Sequence, residues 1–167
     1  VVFDTTEATQ SAFLSGRCDV YTTDMSDLAG IRTVAQDPSK YEILPTMISK
    51  EPLGPAVRRG DDEFFQIVRW SFAAFLGAEE LGVTKANVDE LRKSSSNPDV
   101  QRLLGTGEDM GRMLGLDKDW SYRIVKQVGN YGESWNEFFG PKSALNLPRG
   151  LNKLWTEGGL MYAMPIR

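Results

Sequence analysis

Apolar residues follow two different patterns along the chain, and the change falls near residue 60. Before it, short runs rich in β-branched and aromatic residues predict strands at 1–3, 18–22 and 41–44. Stretches of helical character at 6–14 and 25–35 separate these runs, and Gly16 suits a left-handed helix stop. Because a strand–helix–strand order favours parallel pairing, residues 1–45 are predicted to form a small parallel α/β fragment.

Residues 46–60 have a different composition. Pro52 and Pro55 interrupt their extended runs, and proline cannot donate a ladder hydrogen bond. This stretch is therefore interpreted as a connector, either an edge strand or a crossover between two lobes.

From residue 61 onward the pattern is mainly helical. Residues 63–81 are apolar around nearly the whole circumference, which predicts burial on most sides, with Asp61 or Asp62 as the cap. Shorter helices are predicted from Thr84, at 98–104 and at 151–157. Over 118–139, six apolar residues recur at steps of 4, 4, 3, 4 and 3, which predicts one long helix with an aromatic stripe: Trp120, Ile124, Val128, Tyr131, Trp135 and Phe138. Such a stripe is more typical of a core than of a cofactor site.

The candidate for ligand chemistry is Asp24, which follows the predicted strand at 18–22. Open α/β sheets bind ligands outside the carboxyl ends of their strands, and Thr23 adds a hydroxyl at the same place. The alternative is that Asp24 caps the helix predicted at 25–35, and the two roles are compatible.

Composition excludes several classes of function. There is no His and only one Cys, so His-based catalysis, His-ligated metals and an internal disulfide are excluded. We interpret Cys18 as a small buried hydrophobe rather than a redox group. A net charge of −4 lacks the excess of basic residues that is typical of nucleic-acid-binding proteins. No apolar run is long enough for a membrane span, and the first ten residues lack the basic start of a signal peptide.

The remaining hypothesis of an enzyme would rest on a pair of carboxylates, and it ranks last. Asp24 with Asp27, and Asp61 with Glu63, have the residue types of an acid/base pair, but both are explained as caps or first-turn charges. We therefore predict no enzyme, no catalytic residue, no metal and no cofactor.

Several stretches match a known family. They are residues 2–7, 16–24, 48–58, 128–133, 149–152, 158–160 and 165–167, and they run from end to end of the chain. On these motifs the chain resembles the C-terminal half of periplasmic substrate-binding proteins that serve ABC importers of general L-amino acids.

The resemblance implies a type II periplasmic-binding-protein-like fold, a two-lobed clamp that traps an amino acid between its lobes. Residues 1–45 would then be part of lobe two, 46–60 the return crossover, and 61–167 the C-terminal helices on lobe one. It also implies a periplasmic location, membrane subunits of an ABC importer as partners, and a role for Asp24 in holding the ligand's α-ammonium group. A carboxylate–ammonium contact is a charge-assisted hydrogen bond.

The chain departs from the family in two expected absences. The first half is missing, together with the Arg that holds the ligand's carboxylate in relatives, and the Ser/Thr-rich loop of lobe two is missing too. The expectation is a truncated solute-binding component. One exposed carboxylate–ammonium pair contributes at most about 1 kcal/mol, whereas micromolar binding needs roughly 8 kcal/mol. We therefore expect weak or no amino-acid binding by a single chain.

The apolar surface left uncovered by a missing half predicts association. We expect an intertwined homodimer that exchanges the connector at 47–58. The competing expectation is a monomeric helical bundle that repacks its aromatic residues. The alternative function is a dimeric structural or interaction relic with no small-molecule ligand.

Overall fold

The computed structural model describes residues 2–167, and their regular secondary structure is helical. Seven α-helices follow one another along these residues: α1 (Thr6–Leu14), α2 (Met25–Val34), α3 (Asp62–Glu80), α4 (Val88–Ser94), α5 (Pro98–Leu103), α6 (Trp120–Val128) and α7 (Tyr131–Phe138). Short 3-10 helices lie at Pro38–Lys40, Gly111–Leu114, Gly150–Asn152 and Trp155–Glu157. The predicted mainly helical C-terminal region is therefore confirmed.

The parallel sheet fragment predicted within residues 1–45 is wrong for the described residues. Residues 18–22 and 41–44 contain no strand, and the prediction at 1–3 lies partly outside the described residues. A strand is stable only when its N–H and C=O groups pair with a neighbouring strand, and none of these segments pairs with another. The β contact recorded in the described residues is an isolated parallel bridge between Leu154 and Met161.

Local signals in the sequence place the helix ends correctly. Thr5 caps α1, and Asp61 Oδ1 accepts a hydrogen bond from the Phe64 N–H at 3.1 Å at the start of α3. Gly16 ends α1 with a φ of +77°, and the Arg17 N–H donates to the Ala12 carbonyl at 2.9 Å. This hydrogen bond and the left-handed glycine form a Schellman motif, as the position of Gly16 predicts.

The core lies within residues 61–167, where α3 packs against α5, α6 and α7. Its buried side chains are Ala74, Ala78, Val83, Val88, Val100, Leu103, Leu104, Trp120 and Val125. The prediction that α3 is buried on most sides is only partly correct. Its alanines and Leu76 are buried, but Phe64, Phe65 and Phe72 remain 50%, 45% and 41% exposed.

The single helix predicted over 118–139 is two helices, α6 and α7. Gly129 breaks it with a φ of +80°, a conformation that favours glycine. Asn130 then starts α7 with a capping box: its side chain accepts from the Glu133 N–H at 2.9 Å, and Glu133 accepts from the Asn130 N–H. The predicted helix at 151–157 is likewise divided into two 3-10 helices.

Candidate functional site

Asp24 occupies the N-cap position of α2, but its side chain makes no capping hydrogen bond. Asp24 is a partly buried residue, and no hydrogen bond or ion pair joins its carboxylate to the other described residues. Only its backbone carbonyl is engaged, by the Leu28 N–H at 2.9 Å. The capping alternative is thus correct for the position of Asp24 and wrong for its side chain, whose oxygens are available to a ligand.

The surroundings of Asp24 suit a small cation. Asp27 in the first turn of α2 adds a second negative charge. Thr23, the other predicted site residue, lies beside Asp24 in the chain and is exposed, and its hydroxyl makes no hydrogen bond to the described residues. Together they offer oxygen acceptors to an ammonium group.

The segment that carries Asp24 is held to α1 by aromatic contacts. Tyr21 stacks on Phe13 with ring centroids 5.8 Å apart and an interplanar angle of 28°. Phe13 also contacts Tyr41, at 5.3 Å between centroids. These three rings join α1, the Asp24 segment and the residues that follow the first 3-10 helix.

A shallow cavity of about 250 Å³ lies next to this aromatic cluster. It is lined by Phe13, Leu14, Gly16, Cys18, Asp19, Lys40, Tyr41 and Glu42, and Asp24 is not among its lining residues. Cys18, which the sequence predicts to be buried, is a partly exposed free thiol in this wall. The predicted strand that would have buried Cys18 does not form, which explains the difference.

An apolar groove of about 240 Å³ runs along α3. Its floor contains Phe65 and Phe72, and its walls come from the connector and from the C-terminal segment: Pro55, Val57, Val68, Arg69, Ala73, Leu76, Tyr162 and Met164 complete the lining. Residues 42–57, which include one wall, make no backbone hydrogen bond to the other described residues. The groove is therefore an apolar surface beside an unpaired stretch of backbone.

Three charged residues that sequence reasoning did not single out fasten the C-terminal segment to α3. Arg149 pairs with Glu79 through both carboxylate oxygens and also donates to the Asn152 carbonyl at 2.8 Å. One oxygen of Glu80 accepts from Trp155 Nε1 at 3.2 Å and from the Ala163 N–H at 3.1 Å. Seventy residues separate Glu79 from Arg149, so no local pattern could have identified the pair.

The groups with shifted pKa values lie away from Asp24, and their shifts come from contacts and burial within the fold. Lys126 and Tyr122 donate hydrogen bonds to Asp89, and they hold the pKa of that carboxyl below its usual value. Burial raises the pKa of Tyr131, against the opposing charge of Arg149. Asp61, half of one carboxylate pair considered for catalysis, is engaged as the cap of α3. Within residues 2–167, no group of three or more Cys, Asp or Glu could hold a metal ion, and no helix is long and apolar enough to cross a membrane.

Comparison with known proteins identifies the relatives of this chain. No family model matches it. The general L-amino acid-binding periplasmic protein AapJ of Rhizobium johnstonii is 51% identical over 100% of this chain and 49% of the relative. The glutamate/glutamine/aspartate/asparagine-binding protein BztA of Rhodobacter capsulatus is also 51% identical, over 95% of this chain and 47% of the relative. The chain thus spans about half the length of these curated relatives.

A solved structure agrees with these relatives in fold. It is an ABC transporter periplasmic binding protein from Brucella ovis with glutathione bound, 50% identical, with a TM-score of 0.92 over 100% of this chain and 52% of that chain. Sequence and fold therefore agree over the full described length, which confirms the resemblance inferred from the motifs. Over its full length the chain is similar to periplasmic amino-acid-binding proteins of ABC transporters and corresponds to their C-terminal half.

Proposed function

We propose that this chain acts as part of a solute-binding component for ABC-type import of L-amino acids, with Asp24 accepting the ligand's α-ammonium group and Thr23 beside it. The observation that carries the proposal is the Asp24 carboxylate, partly buried at the start of α2 without a partner among the described residues. A carboxylate in that condition gains most from a cation that brings its own hydrogen-bond donors.

The names of the relatives support one ligand class. They describe binding of general L-amino acids, of glutamate, glutamine, aspartate or asparagine, and of glutathione. All of these molecules carry an α-ammonium group, which glutathione retains at its γ-glutamyl end. A site that recognises this shared group explains how proteins that are each about 50% identical to this chain accept ligands with different side chains.

Binding by the single chain is expected to be weak. Asp24 supplies an acceptor for the ammonium pole, but a carboxylate cannot pair with the ligand's own carboxylate. A carboxylate–ammonium pair in partial contact with water contributes at most about 1 kcal/mol. We therefore expect a dissociation constant in the millimolar range or above, far from the micromolar range that needs roughly 8 kcal/mol.

An NMR titration tests the role of Asp24. L-Glutamate should shift the amide resonances of residues 23–27 in the ¹⁵N-labelled chain, and N-acetyl-L-glutamate, which has no ammonium group, should not. Asp24→Asn should abolish the shifts, because a neutral amide loses the ionic part of the contact. Glu108→Gln, an equal change of charge at an exposed residue elsewhere, is the matched control and should retain them. Equal shifts with both ligands would contradict the proposal.

The partners and the location are inferred from the likeness to these relatives. We infer that the chain functions in the periplasm and with the membrane subunits of an ABC importer. In this reading residues 1–45 belong to lobe two, residues 46–60 are the crossover, and residues 61–167 are the C-terminal part of lobe one. The likeness to the Brucella ovis protein over the whole chain supports this assignment.

A second candidate function is association with another copy of the chain as a structural or interaction protein. The groove along α3 favours it, together with the exposed connector, where Met47, Ile48 and Leu53 lie uncovered beside unpaired backbone. Exposed apolar patches and unpaired backbone both favour pairing between chains. We propose that two copies exchange their connectors at 47–58 and cover each other's groove.

Light scattering after size-exclusion chromatography tests this association. The proposal expects twice the chain mass of 18.6 kDa at low micromolar concentration. Phe72→Glu, in the floor of the groove, should return the particle to 18.6 kDa. Phe138→Glu changes a more exposed phenylalanine that does not line the groove, and should leave the dimer intact. A wild-type chain that elutes as a monomer would rule the dimer out.

A further inference from the structure

We propose that the ring stack between Phe13 and Tyr21 positions Asp24 for its ligand, so that Phe13 and Tyr21 are positioning residues of the amino-acid site. The inference rests on the proposed function and extends it from the residue that contacts the ligand to the residues that hold it in place. Neither ring belongs to the pair of site residues, Thr23 and Asp24, that the sequence predicts.

Packing in the part of the chain around Asp24 is otherwise sparse. Among the described residues up to 45, the buried side chains are Ala12, Ala29 and Ile31. Two of these are alanines, which bury little area. The segment between α1 and α2 has no strand pairing, so its backbone lacks the ladder of hydrogen bonds that a sheet would give it. Its position must come from side-chain contacts.

An aromatic contact lies directly before Asp24 in the chain. Tyr21 is three residues before Asp24, and its ring lies 5.8 Å from that of Phe13 at an angle of 28°, an offset stack of the kind that aromatic pairs prefer. Phe13 sits in the last turn of α1, whose end is fixed by the left-handed Gly16 and by hydrogen bonds to the Ala12 and Phe13 carbonyls. The stack therefore ties the Asp24 segment to a rigid helix end.

A second aromatic ring lies on the other side of Phe13. Tyr41 contacts the Phe13 ring, at 5.3 Å between centroids and a steeper angle of 53°. It follows α2 in the chain and belongs to the segment after Pro38–Lys40. Tyr41 thus supports Phe13, whereas Tyr21 alone links Phe13 to the residues directly before Asp24. This division gives matched variants for a test.

The test compares three variants of the full chain. Tyr21→Leu removes the ring that reaches toward Asp24, Tyr21→Phe keeps that ring and removes only the hydroxyl, and Tyr41→Leu removes the ring on the other side of Phe13. One readout is the ¹⁵N heteronuclear NOE of residues 22–24 without ligand, which reports how well the segment is ordered. The other is the dissociation constant for L-glutamate from the amide titration.

We expect Tyr21→Leu to lower the NOE of residues 22–24 and to weaken L-glutamate binding by about 2- to 5-fold, because the carboxylate–ammonium contact that it disturbs contributes at most about 1 kcal/mol. Tyr21→Phe should restore both values, and Tyr41→Leu should change them less than Tyr21→Leu does. The proposal is overturned if Tyr21→Leu leaves both readouts unchanged, or if Tyr41→Leu lowers them equally. Should Tyr21→Leu lose the dispersed signals of α1, Tyr21→Met, which keeps an apolar contact without a ring, replaces it.

The two proposals fail in different ways. If wild type shows no shifts with L-glutamate, the proposed function fails, and the NOE comparison still decides whether Tyr21 orders the segment. If Asp24→Asn abolishes binding while Tyr21→Leu does not weaken it, Asp24 keeps its role and the positioning by the ring stack is refuted.

Discussion

Residues 61–167 and residues 2–60 are stabilised to very different extents. The C-terminal region, residues 61–167, buries Leu104, Val83, Val88 and Val125 completely, whereas the first region, residues 2–60, buries only Ala12, Ala29 and Ile31. Fully burying a large aliphatic side chain contributes about 1.5–3 kcal/mol, and alanine far less. The helical region thus carries its own core, and the first sixty residues depend on contacts that they do not make among themselves.

The same contrast appears in the hydrogen bonding of the backbone. The helices α1 and α2 form in the first region because their hydrogen bonds join residues four apart. Residues 42–57, which include most of the connector, have no such local partner and make no backbone hydrogen bond to other described residues. Local pairing therefore survives in both regions, whereas pairing that needs a distant segment is missing from the first.

The largest effect is expected from the buried ion pair that fastens the C-terminal segment to α3. In Arg149→Met the Glu79 carboxylate loses its partner while only 13% of its side chain is exposed, and Tyr131 loses the guanidinium 5.3 Å from its ring. Removing one member of a buried pair costs about 3–5 kcal/mol. Urea unfolding, followed by circular dichroism, should show a loss of this size.

An exposed ion pair provides the control for that measurement. Lys142 lies 3.6 Å from Glu137, and these side chains are 70% and 59% exposed. Lys142→Met should lower the free energy of unfolding by no more than about 1 kcal/mol. Equal losses in the two variants would mean that the Glu79–Arg149 pair is not part of the stable core.

A smaller effect is expected from a matched pair of leucines, one from each region. Leu104→Ala removes a completely buried side chain beside α5 and should lower the free energy of unfolding by about 2–5 kcal/mol. Leu44→Ala changes a leucine that is 66% exposed, and should stay within about 0.5 kcal/mol of wild type. The same unfolding experiment measures both, and a large loss for Leu44→Ala would show that the first region has a partner surface in solution.

The smallest effect concerns pH. Burial raises the pKa of Tyr131 above its ordinary value of 10.0, so the phenol ionises more readily in the unfolded chain than in the folded one. The stability that its neutral form contributes is present below pH 10 and is lost as the pH rises through the folded pKa. Tyr131→Phe keeps the ring and cannot ionise, so its free energy of unfolding should fall less steeply above pH 10 than that of wild type. Parallel slopes would contradict this.

Sequence reasoning succeeded where the signal was local. Thr6–Leu14 is a helix of the predicted length, Gly16 ends it in the left-handed conformation, and Asp61 caps α3. The family motifs also led to the correct group of relatives. For the site, the sequence predicted Asp24 and its place at the start of α2; its ligand is still a proposal.

Sequence reasoning failed in two ways: it predicted a strand whose pairing depends on distant segments, and it overlooked a local break within a helix. The strand at 18–22 was predicted from Val20, Tyr21 and Thr22, whose propensities are correct but whose pairing partner is absent from the described residues. The helix over 118–139 was predicted from a continuous stripe, and Gly129 with the Asn130 capping box divides it. Asn130 also donates from Nδ2 to the Val83 carbonyl at 2.9 Å, a contact that spans 47 residues.

The sequence by itself determined several of the helices, the caps of α1 and α3 and the acidic residue at the start of α2, because each depends on residues within one or two turns of one another. Only the tertiary structure decided which apolar residues are buried, which backbone segments stay unpaired, and that Glu79 and Glu80 hold the C-terminal segment against α3. These outcomes depend on which distant segments meet, and that is fixed by the packing of the whole chain.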